Sequence, residues 1–270
     1  MNSKKTTETT FITKYKPYFL NEFYLDENLI SVLKTLLEID ELNILFIGGP
    51  CSGKTTLLYA LIREYYQLKR DDPIPENNIL FINNLKEQGI QYYRNEMKTF
   101  CQTHTSIYGK KKMVIIDDLD NINEQSQQVF RNYIDKYRHN IHFISVCTNV
   151  QKVIENIQSR VHILKISIPM QEQINQIMEK IIENEKIEID QESRQYLLMM
   201  SVGSIRTLIN YLEKMYILRE PINLELCKKI CSSISFQEFE NYLNSIKEGK
   251  LQEAIRILYN IYEYGYSVID

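Results

Sequence analysis

The sequence predicts an α/β fold: a parallel sheet flanked by helices, followed by a region built of helices alone. Three observations predict it. Apolar strand-like runs alternate with helix-length amphipathic stretches from residue 42 to about 168. The strand signal stops at Pro169, beyond which only helical periodicity continues. Between the first strand and the first helix of the alternation lies Gly48-Gly-Pro-Cys-Ser-Gly53-Lys54-Thr55, a loop of the form G-x4-G-K-[ST].

The elements follow in order. The strand candidates are NILFIGG, NILFIN (78–83), KMVIIDD (112–118), HFISVCT (142–148) and HILKISI (162–168), with helical stretches at 54–67, 88–101 and 124–138 between them. Strands separated by helices imply crossover units and a sheet covered on both faces. Past Pro169 the helical stretches are 171–184, 190–200, 204–216, 223–232, 236–247 and 250–263. The expected division is a nucleotide-binding domain over 1–168, a helical lid over 169–231, and the start of a further helical domain over 232–270.

Composition narrows the function classes. With 44% hydrophobic and 25% charged residues in a 270-residue chain, a buried core and an ordinary globular protein are expected. No apolar run approaches a membrane span, and MNSKKTTETT lacks an apolar signal core. A soluble, intracellular protein is expected, nuclear or cytoplasmic; heavy use of Ile, Asn, Lys and Tyr fits an AT-rich coding genome and leaves a viral source open. The net charge of −3 excludes a chain coated in positive potential but not a local basic stripe. Cysteines at 51, 101, 147, 227 and 231 and histidines at 104, 139, 142 and 162 show no metal-ligand spacing, so free thiols are expected.

The glycine-rich loop carries chemistry. Glycines let the backbone curl until consecutive N–H groups face phosphate oxygens, and the following helix adds the positive end of its dipole. Gly48, Gly49, Pro50, Cys51, Ser52, Gly53 and Thr56 are therefore expected to line a nucleotide. Lys54 is expected on its β- and γ-phosphates and Thr55 on Mg²⁺. The second half of such a site is an acid at the end of a later strand. MVII-Asp117-Asp118 supplies one, Asp117 for the Mg²⁺ and Asp118 to polarise an attacking water. A solvated acidic turn closing a strand would read the same way in isolation.

Further segments, in order along the chain, carry a resemblance: KYKP (14–17) with LNEF, NNLKEQGIQYYRNEMKTF (83–100), IIDDLD, QQVFRNYIDKY, VIENIQSRV (153–161), GSIRTLINYL (203–212) and EYGYSVID (263–270). Together with the phosphate loop they resemble AAA+ ATPases, and more narrowly the clamp-loader small subunits of the replication factor C family. The resemblance implies ATP and Mg²⁺ as cofactors, with Tyr15, Lys16 and Pro17 closing over the adenine. It implies that Arg160 is offered to the ATP of a neighbouring subunit, that Arg206 lets the helical lid respond to the γ-phosphate, and that Thr148, or Asn149 beside it, holds the attacking water. It also implies DNA contact through Gln88, Gly89, Ile90, Arg94 and Lys98. Arg94 and Lys98 lie one helical turn apart, a spacing that can track a phosphate backbone and that a solvated amphipathic helix would share.

The implied function is an ATPase subunit, active with neighbouring subunits in a pentameric ring, that opens a sliding clamp and loads it onto primer-template DNA. No membrane partner is implied. Three departures stand out. Asp118 replaces the family's Glu and shortens the base by one methylene, Gln88 replaces an arginine, and Val161 replaces a cysteine. The first makes hydrolysis slow in expectation and keeps a nucleotide-binding scaffold subunit as an alternative; an AAA+ replication initiator or helicase loader is another. After the lid, the stretches around Phe236, Phe239, Leu243 and Ile246, then Leu251, Ile255 and Leu258, are amphipathic and need partners.

Overall fold

The computed structural model describes residues 9–83, 90–201, 203–231, 236–263 and 265, with side chains at 83, 90–93, 236 and 237 excluded. Its contacts divide the chain into two units, Tyr15–Met170 and a second comprising Met1–Lys14 with Gln171–Asp270.

The first unit is built on five parallel strands: β1 (Ile44–Ile47), β2 (Ile79–Asn83), β3 (Lys112–Asp117), β4 (Ile141–Cys147) and β5 (His162–Lys165). They lie in the order β2-β3-β4-β1-β5. Successive residues of each central strand enter opposite cores, as the pleat requires. Ile44, Phe46, Met113, Ile115, Ile144 and Val146 pack on one face, and Leu45, Val114, Ile116, Phe143 and Cys147 on the other. Burial on both faces is why these strands read as unbroken apolar runs. Helices α2 (Glu27–Glu38) and α3 (Lys54–Tyr66) cover the first face, while α4 (Ile90–Gln102), α5 (Glu124–Tyr137) and the short α6 (Glu155–Gln158) cover the second.

The sequence reading starts its alternation at residue 42 and so omits α2. Its signals are ordinary: Asp26 caps it by accepting from the Asn28 amide at 3.0 Å, and Leu33 and Leu36 form its buried stripe.

A buried polar cluster closes the N-terminal edge of the sheet. The Leu42 amide donates to His142 Nδ1 at 3.2 Å, which leaves Nε2 to carry the proton and face Asp40 Oδ1 at 3.1 Å. Asp40 also accepts from Tyr65 Oη at 3.0 Å and pairs with Lys111 at 2.9 Å. Burial holds the His142 pKa down, to about 4, although Asp40 opposes this. Protonating Nδ1 breaks the bond from Leu42. The unfolded chain therefore takes up this proton first as pH falls. The contribution of neutral His142 is full above about pH 6.5, erodes between about 6.5 and 4, and amounts to roughly 3 kcal/mol. Thermal melts from pH 7.5 to 4 should show a falling Tm across that window. His142→Gln should flatten the slope; an unchanged slope would contradict this account.

In the second unit, α7 (Gln171–Glu185), α8 (Gln191–Met200), α9 (Ile205–Leu218) and α10 (Leu224–Ile230) bury Met178, Ile181, Leu197, Leu208, Leu212 and Cys227 among them. Asp190, Ser204 and Asn223 cap the last three, each side chain accepting from an amide in the first turn. The sequence reading placed the start of the chain in the nucleotide-binding domain, over 1–168, but α1 (Phe11–Lys14) packs in this helical unit. The Phe11 ring lies 5.2 Å from that of Tyr216, its amide donates to Glu213 at 3.0 Å, and Lys14 pairs with Glu185 at 2.6 Å. Helices α11 (Phe236–Lys247) and α12 (Leu251–Glu263) pair across a turn in which Gly249 has φ +73°. Their residues Phe239, Leu243, Ile246, Leu251, Ile255 and Leu258 are exposed. No helix among the described residues is long and apolar enough to cross a membrane.

Candidate nucleotide site

Parallel strands place all their C-terminal ends on one edge, where ligands of such sheets bind. The loop after β1 is fastened there by the Gly48 amide, which donates to the Cys147 carbonyl at 3.3 Å. At Gly48 a β-carbon would sit 2.6 Å from the Ile166 carbonyl oxygen and 2.8 Å from Ser52 Oγ, so no side chain fits. Gly53, at φ +87°, turns the chain into α3 and gives that helix no side-chain cap. Helices α2, α5, α8, α9 and α10 are all capped by Asp, Asn or Ser. The first turn of α3 thus presents its amides to a ligand. Ser52 Oγ is buried with no hydrogen-bond partner, and the buried Lys54 turns its ammonium back onto the Gly48 and Gly49 carbonyls at 2.8 and 2.7 Å. Pro50 and Cys51 are exposed on the loop, Cys51 at φ +60°, and Thr56 is half-buried in the first turn. A curled backbone, a poised cation and an orphaned hydroxyl fit a polyphosphate.

Asp117, the last residue of β3, comes to this loop across the sheet edge. Thr55 Oγ1 donates to its Oδ2 at 3.4 Å. No group of three or more His, Cys, Asp or Glu that could hold a metal occurs among the described residues. One hydroxyl and one carboxylate fit an octahedral Mg²⁺ that takes its remaining ligands from phosphate and water, and no all-protein cage is needed.

Asp118 begins the next turn with left-handed backbone, φ 56° and ψ 53°. Burial raises the pKa of its carboxyl, and Asp117 and Asp120 add to this against Lys54. Asp120, two residues on, ends the segment IIDDLD and was given no role in the sequence reading. It is buried, and its Oδ2 accepts from Thr148 Oγ1 at 2.6 Å, the Thr148 amide at 3.0 Å and the Asn149 amide at 2.9 Å. Burial would raise its pKa, but these bonds bring it below the ordinary value. Asp120 thus holds the Thr148 hydroxyl at the tip of β4, whereas the Asn149 side chain is turned away to accept from Gln151.

Gln127, which opens the segment QQVFRNYIDKY but was given no role in the sequence reading, is 1% exposed and ties these turns together. Its amide donates to the Ile122 and Lys152 carbonyls at 3.0 and 2.9 Å, and its carbonyl accepts from the Ile154 amide at 2.9 Å. No local pattern marks such a residue, because its partners come from segments on either side of β4.

Comparison with known proteins shows what this chain is similar to. Residues 44–169 match the family model of AAA, ATPases associated with various cellular activities. A protein of Acanthamoeba polyphaga mimivirus, named for replication factor C small subunits, is 28% identical over 98% of this chain and 82% of its own length. The replication factor C small subunit of Saccharolobus solfataricus is 29% identical over 93% and 75%, and replication factor C subunit 4 of Schizosaccharomyces pombe 27% over 100% and 78%. The chain is thus similar to AAA ATPases over residues 44–169 and, along its length, to replication factor C small subunits. The fold agrees with a solved structure of Thermotoga maritima RuvB, titled a Holliday junction branch migration motor. The TM-score is 0.62 at 15% identity, over 87% of this chain and 80% of that one.

The remaining candidates lie further out. Tyr15, Lys16 and Pro17 are half-buried, and Lys16 Nζ stands 4.6 Å above the ring of Tyr59 on α3, so this segment runs beside the helix that the phosphate loop opens. Burial, and secondarily Arg63, lowers the Lys16 pKa. Arg160 is in the same unit but not at the phosphate loop. Its Nε pairs with Asp135 of α5 at 2.6 Å, and its Nη1 donates to the Asn156 carbonyl at 2.7 Å. Arg206 is exposed near the start of α9 in the helical unit. Arg94 and Lys98 are exposed on α4; Gln88, Gly89 and the Ile90 side chain lie outside the described residues, as does most of the EYGYSVID ending.

Proposed function

We propose that this chain is one subunit of a clamp loader, a ring of ATPase subunits that opens a sliding clamp and places it on primer-template DNA. One observation carries the reading. Lys54, the Thr55–Asp117 pair and the Asp120–Thr148 pair converge on one sheet edge in a chain that matches replication factor C subunits over 93% to 100% of its length.

In this reading the triphosphate of ATP lies along the loop amides, and Lys54 exchanges the Gly48 and Gly49 carbonyls for phosphate oxygens. Thr55 and Asp117 would hold Mg²⁺, which would supply neutralisation of phosphate charge. Asp118 accepts the proton of the attacking water, a role its raised pKa favours, and Thr148, fixed by Asp120, orients that water. Arg160 acts on the site of a neighbour, where a guanidinium neutralises charge developing on the γ-phosphate. Arg206 couples the helical lid to that phosphate. The exposed apolar residues of α11 and α12 fasten subunits together, and Arg94 and Lys98 follow the DNA backbone. The work takes place wherever the genome replicates, in nucleus or cytoplasm, and the mimivirus relative makes a viral genome a suitable case.

A scaffold subunit that binds ATP and hydrolyses little is the second reading, favoured by the short Asp118 side chain. Both are tested by steady-state ATP turnover of the assembled ring, with and without primed DNA and clamp. Stimulation by both ligands is the loader result; its absence, with no ATP-dependent clamp binding, would refute the proposal. Asp118→Glu, which restores the longer base, should raise turnover about tenfold if reach limits proton transfer. A fall would show instead that the turn is built around Asp.

A further inference from the structure

The groove between α4 and α5 has features that phosphate tracking alone does not require. It is a cavity of about 300 Å³ lined by Arg94 and Lys98 from α4 and by Asn132, Tyr133, Lys136 and Tyr137 from α5. No carboxylate is among these lining residues, so three cations face the cavity in a chain whose net charge is −3. The two tyrosine rings lie nearly parallel, 15° apart with centroids 5.9 Å from one another, as a stacked pair on the cavity lining. Lys136 Nζ stands 5.2 Å from the Tyr137 centroid. The cavity is held open from within: Tyr133 Oη donates to the Arg94 carbonyl at 2.9 Å and bolts the two helices together. A site fixed in this way loses little entropy on binding.

We propose that this groove takes one unpaired nucleotide of a DNA strand, the base extending the Tyr133–Tyr137 stack and its phosphates on Arg94, Lys98 and Lys136. Aromatic side chains stack on any base whose face is free, and cations beside them hold the backbone. In a duplex each base face is covered by its neighbours, so paired DNA offers this groove only phosphate. The volume suits one nucleotide and not a helix. Asn132 can donate to or accept from a base edge. The proposal rests on the DNA-binding reading and extends it from backbone contact to a preference for single strands.

The test measures binding of the full chain, at fixed low salt, to three fluorescent probes of equal length: oligo-dT, an abasic strand and a blunt duplex. Oligo-dT should bind about tenfold more tightly than the abasic strand, the scale of one stacked base. Tyr137→Leu should remove that preference and leave abasic and duplex binding unchanged, Tyr137→Phe should keep it, and Lys98→Glu should weaken all three. Equal affinity for oligo-dT and the abasic strand would overturn the proposal, as would a base preference that survives Tyr137→Leu. Duplex binding without any base preference would sink the groove and leave the DNA reading standing; no binding to any probe would sink both. Competition by micromolar thymidine monophosphate would make the ligand a free nucleotide and overturn the assignment to a strand.

Discussion

If, as proposed, Arg160 acts on another subunit's γ-phosphate, Arg160→Ala should lower stimulated ATP turnover by on the order of 10³-fold and leave ATP binding to the altered chain unchanged. The expectation separates cleanly from a folding defect. Within its own chain Arg160 pairs with Asp135, at side-chain exposures of 26% and 43%, and ion pairs that open to water contribute at most about 1 kcal/mol. Asp135 is shared, its second oxygen lying 3.3 Å from Arg131 Nε, so it keeps a partner when Arg160 is lost. The melting temperature should therefore barely move. Turnover equal to wild type would show that Arg160 does not act in trans, and the scaffold reading would take over.

Lys54→Ala is expected to reduce turnover by about 10²- to 10³-fold, the cost of losing one preorganised charge at a developing anion. Unlike Arg160→Ala it should also weaken ATP binding, because the ammonium is buried in the loop beside the Gly48 and Gly49 carbonyls. The two variants are most informative together. Mixing Lys54→Ala chains with Arg160→Ala chains creates interfaces in which an intact phosphate loop meets an intact arginine. Partial recovery of turnover in the mixture is the expected result. Activity no greater than the sum of the separate variants would place both residues in one subunit's own chemistry.

What the sequence made legible was what is local. The phosphate loop spans few residues and its chemistry follows from their order, and the apolar runs announced the strands because both faces of the sheet are buried. The approach of Asp117 to Thr55 could be expected only through the motif, since the two are 62 residues apart. The bonds from Thr148 and Asn149 to Asp120 were not legible. They depend on β4 ending beside the turn after β3, a matter of register, which puts the Thr148 hydroxyl on Asp120 while the Asn149 side chain accepts from the Gln151 amide. Gln127 and Asp135 were missed for a similar reason. A glutamine and an aspartate on an amphipathic helix read as surface until the segments they bind are folded against them. The first residues of the chain, read as part of the sheet domain, pack with the helices through Phe11, a contact some 200 residues distant in sequence.

The left-handed turn at Asp118 bears on how this site can change. A non-glycine residue at φ 56° is strained, and Asp and Asn adopt that conformation more readily than most because a short polar side chain can bond locally. Glutamate has one more methylene and less of that local support. The longer acid that would reach the water better is therefore the acid this backbone accommodates worse. Asp118→Asn would keep the turn and abolish the base, whereas Asp118→Glu would keep the base and strain the turn. Under the proposed role, pressure for faster hydrolysis and pressure for a sound fold thus meet on one carbon atom with opposite signs.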